Sequence, residues 1–425
     1  PAVRRVYPAG GLAAQALGFV RVSDGAGQYG IEQQLQATLA GKPGVLSTAV
    51  DATGNPLATG VRRETPAVPG ANVTLTLDAN VQYWAEQGLA DAIAQTGANG
   101  GTVIVMDPHT GAIIALANLP SFDPNLYSNA SLASFVDPAV STAYDPGSVM
   151  KGVTIAAGID SGAITPGSIY DDEAPIRVGG VTIHNWDRRN YGLITMTQVL
   201  QYSANTGAIW VAQQVGRDRF DRYLSAFGFG QRTGVDLPAE SAGLLAQPQS
   251  RADADLLLAE NAFGESIAVT PLQMVAAYGA LANGGVLMRP SIVASVASDG
   301  GQGAVTRAGS HAVRQVVSAA TAQTVTQMLV QSAYRSEAEM YRVQGYTVAA
   351  KTGTSTPDAA HPQVTYASVI GYAPASNPRF VMLVKLDHPR TTIFGGAAAG
   401  PLWRSLAERL FVYYQIPPDA GTAGG

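Results

Sequence analysis

The stretch Tyr144-Asp-Pro-Gly-Ser-Val-Met-Lys151 decides how this chain is read. Asp145-Pro-Gly147 is a turn signal in front of a helix-forming run, Ser148 to Ile159. Ser148 then falls at a helix N-terminus, where unpaired backbone N–H groups and the positive dipole end favour developing negative charge. Lys151, three residues on, projects from the same face and can reach the Ser148 hydroxyl. A serine hydroxyl is a poor nucleophile until a neighbouring base takes its proton. Neutral Lys151 is such a base. Depressing a lysine from about 10.4 to near 7 requires about 4–5 kcal/mol of differential interaction, which burial and a second cation can supply. The plain alternative is a helix-capping serine followed by a surface lysine.

Two further strings supply the companions. Ser203-Ala-Asn205 lies between two helical runs, Met196 to Gln201 and Gly207 to Val215. Alone it reads as an ordinary interhelix turn. Beside Ser148 it offers a hydroxyl to relay a proton to a leaving group and an amide to hold a substrate carbonyl or a lysine. Lys351-Thr352-Gly353-Thr354 ends a strand rich in small residues. Lys351 is the candidate second cation, and with Thr352 and Thr354 it can bind a carboxylate. Gly353 lets an extended peptide lie close along the strand edge. The N–H groups of Ser148 and Thr354 form the candidate oxyanion hole.

Lysine usage sharpens this pattern. Of 26 basic residues only Lys42, Lys151, Lys351 and Lys385 are lysine, and two of these four fall inside the motifs. Arginine keeps its proton in proteins, whereas lysine can lose it. Other chemistries lack their residues. The five histidines occur singly, without metal-ligand spacing, so no metal and no cofactor is expected. No GxSxG elbow marks a Ser-His-Asp triad. His184, in His184-Asn-Trp-Asp187, reads as a loop histidine that could line the cleft, and Glu260 and Glu265 read mainly as structural.

Residues 1–70 read as a short, irregular non-catalytic module, with a helix over Ile31 to Leu39 and a hairpin pairing Val45-Leu46 with Leu57 to Val61 across Asn55-Pro56. Residues 71–415 are regular. Asp78 can cap a helix with Val81, Trp84, Ala85, Leu89 and Ile93 on one face. Thr102 to Met106 and Ala112 to Leu116 form a hairpin, and a long helical stretch carries the first two motifs. Strands Tyr346 to Thr354, Thr365 to Tyr372 and Arg379 to Asp387 follow, then a helix from Pro401 to Tyr414. This order predicts an α+β domain, an antiparallel sheet with helices segregated on its faces. Residues 416–425 read as a flexible tail. At 425 residues and 46% hydrophobic content a sizeable core is expected. The net charge of −5 offers no basic face for nucleic acid. Cysteine is absent, which fits an extracytoplasmic protein. No stretch reaches the roughly 18–20 apolar residues of a membrane span.

The three motifs in this order resemble the set of penicillin-binding proteins and serine β-lactamases. Arg5-Val-Tyr-Pro-Ala-Gly-Gly11, Gly30-Ile-Glu-Gln33, Gly101-Thr-Val-Ile-Val-Met-Asp-Pro-His-Thr-Gly111, Val269-Thr-Pro-Leu-Gln273 and Ala282-Asn-Gly-Gly285 extend the resemblance to class B penicillin-binding proteins, the monofunctional peptidoglycan D,D-transpeptidases. The resemblance implies a transpeptidase domain behind a partial N-terminal pedestal. It implies a protein anchored in the cell membrane and facing outward, with the anchor and the first part of the pedestal missing here. It also implies that Ser148 attacks the D-Ala-D-Ala end of a stem peptide and that an amine of a neighbouring strand resolves the acyl-enzyme. β-Lactams would acylate Ser148 as mimics. The implied partners are lipid II-derived glycan strands, a separate membrane glycosyltransferase and elongation or division proteins. The same parts could serve a β-lactamase or a penicillin-sensing receptor domain, yet no clear deacylating carboxylate is present. From another class, a non-catalytic wall-binding module would keep the fold without the nucleophile.

Overall fold

The computed structural model describes residues 5–53, 55, 57, 61–298, 303–334, 340–356 and 360–419. Its centre is a five-stranded antiparallel sheet. β1 (Gly100–Met106) and β2 (Ile113–Leu119) form the expected hairpin, and β3 (Ala349–Ser355), β4 (Tyr366–Ala373) and β5 (Phe380–Asp387) come from the far end of the chain. The spatial order is β3-β4-β5-β1-β2, with β3 at one edge. Side chains alternate between two apolar layers, so both faces are covered and the strands read as nearly continuous hydrophobic runs. Val103, Val105, Val369, Met382 and Val384 pack with Trp403, Leu406 and Leu410. Ile104, Met106, Ile370, Tyr372 and Leu383 pack with Val153, Met274 and Tyr278.

The first layer is made by α1 (Ala79–Thr96), capped by Asp78 as expected, and by the C-terminal helix (Gly395–Tyr413). The second is the helical block. Its α2 (Lys151–Asp160), α3 (Met196–Tyr202), α4 (Asn205–Val215), α5 (Arg251–Phe263) and α6 (Pro271–Ala282) surround the segment Gly147–Met150, with α7 (Ala319–Ala333) against β3. Every residue of α6 is buried, which marks it as the core helix of the block. We number the C-terminal helix α8. The α+β architecture is as the element order predicts.

Four local expectations change. The Ile31 to Leu39 helix breaks at Leu35 into Gly30–Gln34 and Gln36–Leu39. Val45–Ser47 pairs with Arg63–Thr65 rather than with Leu57 to Val61. Both strands are wholly exposed, so no buried face fixes their register, and Asp51 gathers the intervening turn by accepting from the Thr53 and Asn55 amides. Pro56 and parts of the expected second strand lie outside the described residues. The last helix begins at Gly395 and carries Pro401 inside it. The tail stays docked through its first residues: Ile416 is buried, and Asp419 accepts from the Thr347 amide at 2.7 Å and from the Ser376 hydroxyl.

The N-terminal segment packs on the larger domain. Phe19 joins Phe122 and Phe135 in a small aromatic cluster, and Ala13, Ala16 and Ile31 reach the main core. Among the described residues no helix is long and apolar enough to cross a membrane.

Candidate active site

The turn that carries Ser148 departs from a plain helix start. Gly147–Met150 is a 3₁₀ turn that feeds α2 at Lys151. Gly147 takes a φ of +59°, and a Cβ there would lie 2.7 Å from the Thr354 carbonyl oxygen. Only glycine lets the Ser148 turn approach the motif strand this closely. The Tyr278 hydroxyl donates to the Val149 carbonyl at 2.7 Å, and the Ser355 hydroxyl donates to the Asp145 carbonyl. Ser148 itself is half-buried and open to the cleft.

Lys151 has no solvent exposure. Its Nζ lies 3.0 Å from Ser148 Oγ, 2.7 Å from Asn205 Oδ1, 2.6 Å from the Ser203 carbonyl oxygen and 3.1 Å from Ser203 Oγ. The two shortest contacts are to oxygens that can only accept. They take the two hydrogens of a neutral amine and leave its lone pair for a hydroxyl proton. Burial pushes the Lys151 pKa well below the ordinary lysine value, the charge of Lys351 pushes it the same way, and Glu265 opposes them. Lys351 is 3% exposed, so this second cation is also held close to low-dielectric surroundings.

Ser203 makes both of its contacts because α3 ends there in the left-handed conformation, φ 54° and ψ 41°. That sharp turn presents carbonyl and hydroxyl together to Lys151. Such a conformation in a non-glycine residue costs about 1 kcal/mol and persists where its surroundings hold it.

β3 supplies the opposite wall. Lys351 pairs with Ile370 and Gly353 with Ser368. Directly opposed residues share a face, and Ile370 belongs to the helical-side core, so Lys351 faces the block that carries Ser148. The start of α8 closes behind it. The Gly395 amide donates to Thr354 Oγ1 at 3.0 Å, and a Cβ on Gly395 would lie 2.2 Å from the Gly353 oxygen. Above the cleft, Trp186 and Phe394 meet edge to face with ring centroids 5.8 Å apart. The fourth lysine, Lys385, is structural: it pairs with Asp387 and lies over the rings of Tyr144 and Tyr366.

The structure thus gathers Ser148, Lys151, Ser203 and Asn205 by direct contact, and stands the Lys351 to Thr354 strand against the Ser148 turn. Glu265, read as mainly structural in the sequence, stands near Lys151, and two residues, Asp172 and Asn185, escaped the sequence reading. Glu265 is exposed on the Lys151 side of the cleft, and its pKa is raised by local desolvation first and then by Glu260 and Asp145. Asp172 and Asn185 are buried behind Ser203-Ala-Asn205. The ring of His184 is exposed, and its backbone carbonyl, not the ring, accepts from Asn205 Nδ2 at 2.9 Å.

Residues 101–408 match the penicillin binding protein transpeptidase domain, and residues 1–75 match the penicillin-binding protein dimerisation domain. The chain belongs to the penicillin-binding protein family. Its relatives include proteins named as penicillin-binding proteins and as peptidoglycan D,D-transpeptidases. Penicillin-binding protein PbpB of Mycobacterium tuberculosis is 36% identical over 98% of this chain and 63% of its own length. Peptidoglycan D,D-transpeptidase FtsI of Escherichia coli is 28% identical over 99% of this chain and 69% of its own. The chain therefore spans about two thirds of these relatives. Among solved structures, penicillin-binding protein 3 of Mycobacterium tuberculosis complexed with ampicillin superposes with a TM-score of 0.86 at 33% identity. That match covers 99% of this penicillin-binding protein chain and 91% of the other.

Proposed function

We propose that this chain is the catalytic part of a peptidoglycan D,D-transpeptidase, with Ser148 as nucleophile. The observation that carries the reading is the fully buried Lys151 amine, its pKa depressed, 3.0 Å from Ser148 Oγ. Neutral Lys151 takes the Ser148 proton as Oγ bonds to the carbonyl carbon of the penultimate D-alanine. The N–H groups of Ser148 and Thr354 stabilise the oxyanion. Collapse breaks the peptide C–N bond, and the proton reaches the leaving nitrogen through the Ser203 hydroxyl, releasing D-alanine and leaving an ester on Ser148. The amine of a neighbouring stem peptide then attacks the ester. Its proton returns by the same route, and Ser148 is regenerated as the crosslink forms. Lys351, Thr352 and Thr354 hold the terminal carboxylate while the peptide extends along Gly353.

The relatives support this assignment. One named as a D,D-transpeptidase aligns over 99% of this chain, and the structural neighbour was solved with ampicillin bound. β-Lactams accordingly acylate Ser148. Glycan strands carrying stem peptides are the substrate, and a membrane glycosyltransferase with elongation or division proteins completes the partnership on the outer face of the cell membrane.

The test is covalent labelling by a fluorescent penicillin, with mass mapping of the adduct, followed by D-alanine release and crosslinking with stem-peptide substrate. A label on Ser148 lasting many minutes, with crosslinked product, supports the transpeptidase. Rapid turnover of the label would point to a β-lactamase instead, and labelling that survives Ser148→Ala would remove the nucleophile assignment.

A further inference from the structure

Behind the Ser203-Ala-Asn205 turn lies a hydrogen-bonded network that the reaction as described does not use. Asp172, at the end of the strand Ile169–Asp172, has no solvent exposure. Its Oδ1 accepts from the Thr206 hydroxyl at 2.6 Å and the Ala174 amide at 3.2 Å. Its Oδ2 accepts from Asn185 Nδ2 at 2.7 Å and the Tyr191 amide at 3.0 Å. Each oxygen meets two donors, which satisfies a buried carboxylate without a cation. Asn185, 1% exposed, turns its own Oδ1 toward the next residues of the motif. That oxygen accepts from the Asn205 amide at 2.9 Å and the Thr206 amide at 3.4 Å.

The Asn205 side chain is oriented from the same loop. Its Nδ2 donates to the His184 carbonyl at 2.9 Å. A carbonyl can only accept, so the amide nitrogen must face it and Oδ1 must face Lys151, 2.7 Å away. A flipped carboxamide would set an N–H₂ group against the lysine and a carbonyl against a carbonyl. The loop that carries His184 and Asn185, directly after the strand Val181–Ile183, is thus tied to the start of α4 at two points, one on the Asn205 backbone and one on its side chain.

We infer that Asp172 and Asn185 are positioning residues of the acyl-transfer site, acting through Asn205 to hold its carboxamide oxygen on the Lys151 amine. Asp172 fixes the Asn185 side chain, Asn185 fixes the Asn205 backbone, and the His184 carbonyl selects the face that Asn205 shows. The Lys151 lone pair is then directed at Ser148 Oγ only while Asn205 stays in place. This inference rests on the proposed acylation of Ser148, and its test separates the two.

The experiment is the acylation rate with a fluorescent penicillin for Asn185→Ala and Thr206→Val, each alone and combined with Asn205→Ala, with folding followed by thermal melting. Asn185→Ala alone is expected to slow acylation at saturating penicillin by about 10- to 100-fold, the scale of a small misplacement of reacting groups. The noncovalent dissociation constant is expected to change by less than about twofold. Added to Asn205→Ala, the same substitution is expected to change the rate by less than about twofold, since the group it positions is gone. Full further loss in the Asn205→Ala background, or wild-type acylation by Asn185→Ala, would overturn the inference. Should Asn185→Ala not fold, Thr206→Val carries the same cycle, with a loss of roughly threefold expected that vanishes beside Asn205→Ala. A wild-type protein unlabelled at Ser148 would overturn the proposed function itself.

Discussion

Lys351 acts on Lys151 across the cleft: after burial, its charge is the largest influence holding the Lys151 amine below its ordinary pKa. The pair explains why one strand and one helix turn, remote in sequence, must stay in register. Replacing Lys351 by methionine removes a cation that disfavours the Lys151 ammonium. The Lys151 pKa then rises, and less of the free base exists at a given pH. The acid limb of the acylation pH–rate profile is expected to move to higher pH, measured with a penicillin lacking other titrating groups in that range. An unmoved or acid-shifted limb would contradict this electrostatic role.

Lys151→Arg cannot supply a base, because guanidinium retains its proton. Covalent labelling of Ser148 is expected to fall by about 10²–10⁴-fold, the range of general-base catalysis. Labelling within about threefold of wild type would remove Lys151 from the proton transfer.

Gly395→Ala places a Cβ 2.2 Å from the Gly353 oxygen and 2.4 Å from the Ser368 oxygen, both backbone atoms with no freedom to swing away. We expect a loss of about 1–3 kcal/mol, the scale of overpacking, together with slower acylation as the motif strand shifts. Denaturant unfolding reads the first and labelling kinetics the second. A variant matching wild type in both would show that α8 does not set the strand position.

Trp403 is fully buried on the sheet face opposite the cleft, and its Nε1 donates to the Met382 carbonyl at 3.0 Å. Trp403→Ala is expected to cost about 3–5 kcal/mol. The surviving folded fraction should still label with penicillin, because no catalytic contact passes through this side of the sheet. Selective loss of labelling at full stability would refute that separation.

The motif residues were legible because each carries its chemistry in its own side chain: Ser148 with Lys151 at helical spacing, Ser203 with Asn205, and Lys351 on a strand of small residues. The hairpin β1–β2 and strands β4 and β5 were legible from apolar runs bounded by turn signals. What escaped depends on partners distant in sequence. Asn185 and Asp172 look like ordinary loop polar residues until the fold sets them behind Asn205. The first turn of α8 reads as a loop because glycines and Pro401 argue against helix, whereas the close approach of Gly395 to Gly353 demands those small residues. The Val45–Ser47 pairing was missed because a strand exposed on both faces leaves no pattern to read.

Lysine placement has a practical consequence. Lys151, Lys351 and Lys385 are all 5% exposed or less, and Lys42, in the N-terminal segment, is the exposed one. Reagents that couple to side-chain ε-amines will therefore find Lys42 and spare the cleft in the folded protein. Tethering through that side-chain amine would present the molecules on a surface in a common orientation.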